Sequence, residues 1–62
     1  MEVILTTTFE VYQSKDGQYR WRLKAANGEI VAVSEGYESL YGAKHSAQRV
    51  KEIAYSANIV EI

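Results

Sequence analysis

From Tyr19 to Ser34 the chain reads as two strands folded about a turn. Tyr19, Trp21, Leu23 and Ala25 alternate with Arg20, Arg22 and Lys24, the period-2 pattern of a β-strand with one dry and one wet face. Asn27-Gly28 follows, and its tolerance of φ > 0 predicts a two-residue type I′ turn. Ile30 to Val33 returns. Upstream, Phe9 and Val11 alternate with Glu10 and Tyr12, which predicts another strand over Phe9 to Gln13, joined to Tyr19 through Lys15-Asp16-Gly17. A two-residue turn there would set Glu10 against Leu23 on the dry face. A three-residue loop, with Gly17 left-handed, pairs Phe9 with Leu23, Val11 with Trp21, Glu10 with Arg22 and Tyr12 with Arg20. One slip inverts every side chain, so the core pattern selects the second register. The predicted inner face is Phe9, Val11, Tyr19, Trp21, Leu23, Ala25, Ile30 and Ala32; the outer face carries Glu10, Tyr12, Arg20, Arg22, Lys24, Val31 and Val33.

Beyond Gly36 the period changes. Leu40, Ala43, Ala47, Val50 and Ala54 recur at helical spacing, flanked by Ile53, with Lys44, His45, Gln48, Arg49, Lys51 and Glu52 on the other side. This predicts a helix from Leu40 to about Tyr55, with Ser39 as N-cap. Its alanine stripe allows close approach to the sheet, leaving room for Trp21 and Tyr19. Ile59-Val60-Glu61-Ile62 is too apolar for a free tail and has strand propensity. The connection before it is short, which points to a sheet edge supplied by a second subunit, with Ile59, Val60 and Ile62 as candidate dimer-interface residues. Met1 to Thr8 reads as a peripheral strand or an arm.

Length sharpens that point. A chain of 62 residues is one small domain, and such a domain buries only about 60% of its unfolded surface. With no cysteine, disulfides are excluded; His45 is the only histidine and has no second ligand at i+3 or i+4, which argues against a metal. No cofactor is expected. Association with another copy is the remaining supplement, and 47% hydrophobic content favours it. The formal charge of −1 exerts no global pull toward nucleic acid or anionic membrane. No apolar run approaches the roughly 20 residues needed to span a bilayer, and the N-terminus lacks the basic region of a signal peptide. A cytoplasmic location is the expectation.

Three groups carry candidate chemistry. Arg20, Arg22 and Lys24, with Tyr12 beside them, interleave cations with an aromatic on an open sheet, as single-stranded nucleic acid requires; the plainer alternative is a solvated face with Glu10 paired to Arg22. His45 has no carboxylate or nucleophile placed to make it a general base. Tyr37, Tyr41 and Tyr55, with Trp21 and Tyr19, suit either a small pocket or core and interface positions that keep a polar tip wet. Nothing in these groups indicates an enzyme.

Phe9-Glu10-Val11-Tyr12, Lys15-Asp16-Gly17, Tyr19 to Ala25, Asn27-Gly28-Glu29-Ile30 and Ser34-Glu35-Gly36-Tyr37 resemble the YegP-like family of small domains of unknown function. The resemblance runs from about Phe9 to the end and includes the helix's small-residue stripe and Val50-Lys51. It implies an α+β fold: a β-β-β-α-β unit, an antiparallel meander with one helix packed on it. It further implies that two units share one continuous sheet and exchange their C-terminal strands, here Ala57 to Ile62. Residues 1–8 are extra relative to the family. The expectation is therefore a single domain over 1–62, an uncharacterised, non-enzymatic, homodimeric structural or binding module. A nucleic-acid-binding module using the basic strand face, and a small-molecule site at the dimer seam, are the alternatives.

Overall fold

A computed structural model of the chain describes residues 6–62. The strand or arm expected over 1–8 lies mostly outside the described residues; Thr8 is the first residue of β1. Three antiparallel strands, β1 (Thr8–Gln13), β2 (Tyr19–Lys24) and β3 (Ile30–Val33), form a meander in the order β1-β2-β3, followed by α1 (Leu40–Ala54). The α+β meander with one helix is as the pattern predicts.

The first hairpin takes the register that the core selects. Phe9 pairs with Leu23, Glu10 with Arg22, Val11 with Trp21 and Tyr12 with Arg20. The loop is Lys15-Asp16-Gly17, closed by Ser14 N–H on the Gln18 carbonyl at 2.8 Å and by Gly17 N–H on the Ser14 carbonyl at 2.9 Å. Gly17 sits at φ 85°.

The second hairpin departs from the predicted type I′ turn. Gly28 has φ 91° but among the described residues no non-glycine has positive φ, so Asn27 does not adopt the conformation that turn needs. Instead Ala25 N–H bonds the Glu29 carbonyl at 2.7 Å and Gly28 N–H the Ala25 carbonyl at 2.9 Å, a three-residue loop like the first. The side chains explain the likeness. Asp16 Oδ1 accepts from Gln18 N–H, and Asn27 Oδ1 from Glu29 N–H, each at 3.0 Å. That side-chain bond across the turn rewards right-handed backbone at the residue before glycine. A register shift between Leu23 and Lys24 then absorbs the extra loop residue: Leu23 still pairs with Ala32, but Lys24 pairs with Ile30. Ile30 consequently shares the outer face with Lys24 instead of the inner one, and is 41% exposed.

The helix begins where expected. Ser39 is the N-cap in extended backbone, its Oγ accepting from Gly42 N–H at 2.9 Å. Ala43 is fully buried, Ala47 6% exposed and Trp21 7% exposed; among the described residues they alone make up the buried apolar core. Phe9 meets the Trp21 ring edge-to-face at 5.2 Å. The alanines let the helix sit low on the sheet. It packs on β1 and β2 and not on β3.

Two polar contacts fasten it. Trp21 Nε1–H donates to Ser46 Oγ at 3.0 Å, and Tyr37 OH to the same oxygen at 2.7 Å. Tyr37 is itself held by paired backbone bonds of 2.7 Å to Tyr19. One serine therefore joins the middle strand, the β3–α1 connection and the helix.

The fourth strand expected over 57–62 does not form within the described chain. Ile59, Val60 and Ile62 are 102%, 75% and 115% exposed.

Ser46→Ala leaves the Trp21 and Tyr37 donors without their shared acceptor and is expected to cost about 1–3 kcal/mol, read as a lower urea midpoint at fixed protein concentration. Gly28→Ala meets nothing within 4 Å of its new Cβ, so its expected loss of about 1 kcal/mol in the same assay is backbone strain alone.

Candidate functional site

The outer sheet face is built by alternation. Along β1 it presents Glu10 and Tyr12, along β2 Arg20, Arg22 and Lys24, and the register sets Glu10 directly opposite Arg22 and Tyr12 opposite Arg20. All four residues predicted for a nucleic-acid surface thus lie together on one face. What they do there is another matter.

Arg20 is committed to the first turn. Its Nη2 reaches Asp16 Oδ2 at 3.2 Å, its Nε the Ser14 hydroxyl at 3.2 Å and its Nη1 the Ser34 carbonyl at 3.3 Å. The guanidinium fork therefore ties the loop, β2 and the end of β3 together. Asp16 gathers donors in turn. The Ser14 hydroxyl, then Gln18 N–H, then Arg20 hold its carboxyl below the ordinary carboxylate range, at about 2. Ser14 has one hydroxyl proton for two acceptors within reach, Asp16 and the Gln18 carbonyl.

Arg22 and Lys24 converge on one carboxylate. Arg22 Nε donates to Glu10 Oε1 at 2.7 Å, and Lys24 Nζ lies 3.8 Å from Oε2. The Arg22 bond, then the two cationic fields, lower the Glu10 pKa against a smaller opposing effect of burial. The Arg22 guanidinium also lies 5.2 Å from the centre of the Tyr12 ring, a cation–π arrangement that occupies the face on which a base would stack. An anion approaching this face must compete with Glu10 for Arg22 and Lys24 and with Asp16 for Arg20.

Two hollows flank the strands. On the inner side, α1 and β1 enclose a groove of about 540 Å³, floored by Phe9, Val11, Leu23 and Ala47 and rimmed by Lys44, Gln48 and Lys51. On the outer side, Glu10, Lys24 and the 25–28 loop bound a more polar hollow of about 380 Å³. Among the described residues no group of three His, Cys, Asp or Glu side chains could hold a metal ion. His45 stacks on Tyr41 with ring centres 6.0 Å apart, Tyr41 being 78% exposed. Tyr37 reaches the helix through Ser46, whereas Tyr55 is 95% exposed, so the tyrosines do not line one pocket.

Ser46 and Ser34 are the residues that pattern reasoning passes over. Ser34 Oγ accepts from Trp21 N–H at 2.9 Å, and Ser34 N–H donates to the Trp21 carbonyl at 2.9 Å. A serine lodged between the buried alanines 43 and 47 was the available signal for Ser46.

Fold and surface together define a small α+β domain built on a three-stranded meander and one helix. The family described as a domain of unknown function, DUF1508, matches residues 14–61, and the chain belongs to it; its relatives are the UPF0339 proteins, the YegP-like group. A UPF0339 protein of Methanosarcina acetivorans is 52% identical over 52 residues, covering 84% of this chain and 90% of the relative. A UPF0339 protein of Stutzerimonas stutzeri is 42% identical over 50 residues, 81% of this chain but only 45% of that protein. The NMR solution structure of a protein from Haloferax volcanii superposes with a TM-score of 0.80 at 38% identity, covering 95% of this chain and all of that one.

The pH dependence of the face has a definite sign. A carboxylate with a lowered folded-state pKa contributes stability that is complete above its unfolded value and lost as pH falls through the folded one. Asp16 therefore makes stability decline between about pH 4 and about pH 2. Asp16→Asn is expected to be less stable at neutral pH and to show a flatter decline over that window, measured by denaturant midpoints across a pH series.

Proposed function

We propose that this chain is a non-enzymatic structural or binding module that works as a homodimer, the 57–62 segment of each copy adding to the sheet of the other. The carrying observation is the imbalance between core and surface. Among the described residues three apolar residues are buried, while ten large apolar side chains are exposed, three of them on the 57–62 segment. A second copy covers that surface without adding a new sequence. The Stutzerimonas relative supports this: the matched segment is less than half its length, which leaves room for a second unit in one chain.

The non-enzymatic reading rests on how the polar groups are used. His45 lies against Tyr41, and the strongly shifted carboxylate, Asp16, holds a turn together. Nucleic-acid binding through Tyr12, Arg20, Arg22 and Lys24 is the weaker reading, because each cation already has a carboxylate and the Tyr12 ring is covered by Arg22. The groove between α1 and β1 is the natural place for a small-molecule site at the dimer seam.

Light scattering on the full chain and on a chain ending at Ala57 tests the proposal. A folded dimer that becomes monomeric or unfolded on truncation is the expected result. A stable full-length monomer would overturn it.

A further inference from the structure

We propose that Asn27-Gly28 is a site of spontaneous covalent modification. The side-chain amide of Asn27 is lost and the backbone is rebuilt as aspartyl and isoaspartyl linkages, the second of which releases β3 from its register. This chemistry needs no second copy and lies outside the module reading above.

Reactivity and place both single out this dipeptide. The attacking atom is the Gly28 backbone nitrogen and the electrophile is Asn27 Cγ. A side chain on the following residue crowds that attack. Gly28 has none, and a Cβ built there would meet nothing within 4 Å. Both residues are exposed and border the outer hollow of about 380 Å³, so water reaches them. The loop also polarises its own electrophile. Glu29 N–H donates to Asn27 Oδ1 at 3.0 Å, which steadies the negative charge that grows on that oxygen as the nitrogen attacks. Gly28 N–H is meanwhile held by the Ala25 carbonyl at 2.9 Å, and opening of that bond gates the reaction.

The step balances with water and solvent hydroxide alone. Hydroxide takes the Gly28 amide proton, and the nitrogen bonds to Cγ. The Cγ–Nδ2 bond breaks, and Nδ2 leaves as ammonia after taking a proton from water. The five-membered imide then adds water. Cleavage at Cγ restores the ordinary peptide and leaves aspartate. Cleavage at the Asn27 backbone carbonyl carbon leaves the chain running through the side chain, as isoaspartate.

Two other positions in the chain serve as controls. Asn58, the other asparagine, is exposed as well, but it precedes Ile59, whose stiff branched side chain crowds the nitrogen. Asp16-Gly17 occupies the same loop positions as Asn27-Gly28, yet its ring closure must expel water from a protonated carboxyl. The Ser14 hydroxyl, Gln18 N–H and Arg20 keep that carboxyl ionised, with a pKa of about 2. They also pin the loop, and the Gln13 amide adds a bond to the Gly17 carbonyl at 3.0 Å.

The two products differ in what they do to the fold. Aspartate suits this loop, since Asp16 Oδ1 accepts from Gln18 N–H at the same 3.0 Å as Asn27 Oδ1 from Glu29 N–H. Isoaspartate inserts a methylene into the backbone and displaces the acceptor. β3, which α1 does not cover, then loses the turn that sets its pairing with β2.

The test incubates the full chain, folded and in urea, in mildly alkaline ¹⁸O-water. Digestion and mass spectrometry then map each position, with an Asn27→Asp chain as the aspartyl standard. The expected result is ¹⁸O-labelled aspartyl and isoaspartyl product at position 27 of the folded chain, with Asn58 intact and Asp16 unlabelled. An unmodified position 27 in the folded chain, whether or not the urea-unfolded chain converts, would overturn the site. Aspartyl product without isoaspartyl would overturn it too, because plain hydrolysis forms no ring. Separated isoaspartyl chains are expected to unfold at a lower urea midpoint than the parent, and Asn27→Asp at the parent's own. Equal midpoints for all three would overturn the release of β3.

Discussion

Everything in this fold leans on how closely one helix can approach one tryptophan. Trp21 supplies the largest side chain of the buried core, and among the described residues only Ala43 and Ala47 are buried with it. Small residues on the helix and a large one on the sheet bring the two layers together with little else between them. That economy has a chemical condition. The indole N–H must keep a partner once it leaves water, because an unpaired buried donor costs more than the bond contributes. Ser46 supplies the partner, and by accepting from Tyr37 as well it fixes where the helix starts relative to β2. The hydrophobic layer and the polar tie are one device.

Much of this was legible because binary patterns have few solutions. The first hairpin could be derived to the residue, since any other register would have placed Glu10 on the dry face, and the structure pairs it with Arg22. The helix and its Ser39 cap were equally readable, the change from period 2 to helical spacing being unambiguous there. The second hairpin was misread for a physical reason. Asn-Gly permits a type I′ turn, but it equally permits the loop in which Asn27 accepts from Glu29 N–H, and dipeptide preference does not separate the two. The preceding hairpin held the clue: Asp16-Gly17 and Asn27-Gly28 occupy the same positions in the same loop.

The outer face shows why a list of charges is a poor guide to function. Tyr12, Arg20, Arg22 and Lys24 were correctly placed on one side of the sheet by alternation alone. Their partners were only half legible: Glu10 opposite Arg22 follows from register, but the contact of Arg20 with Asp16 needs the three-dimensional turn. With two carboxylates set among three cations, the face has a weak net field and a well-defined hydrogen-bond pattern. Ser46 was invisible for a related reason, since a helical serine has no fixed meaning until the donors facing it are known.

The irregularity of β3 has a consequence for growth. A sheet edge is a template, and a protein with two good templates can be copied without end into a filament. This chain breaks the second one: the register shift at Ile30, the serine hydroxyl standing in for a peptide group, and the abrupt exit toward Tyr37 leave no long straight ladder on that side. That edge is thereby a poorer template than the six-residue edge of β1. A chain with one sound edge and one flawed one would, if it adds strands at all, stop growing once two sound edges had met.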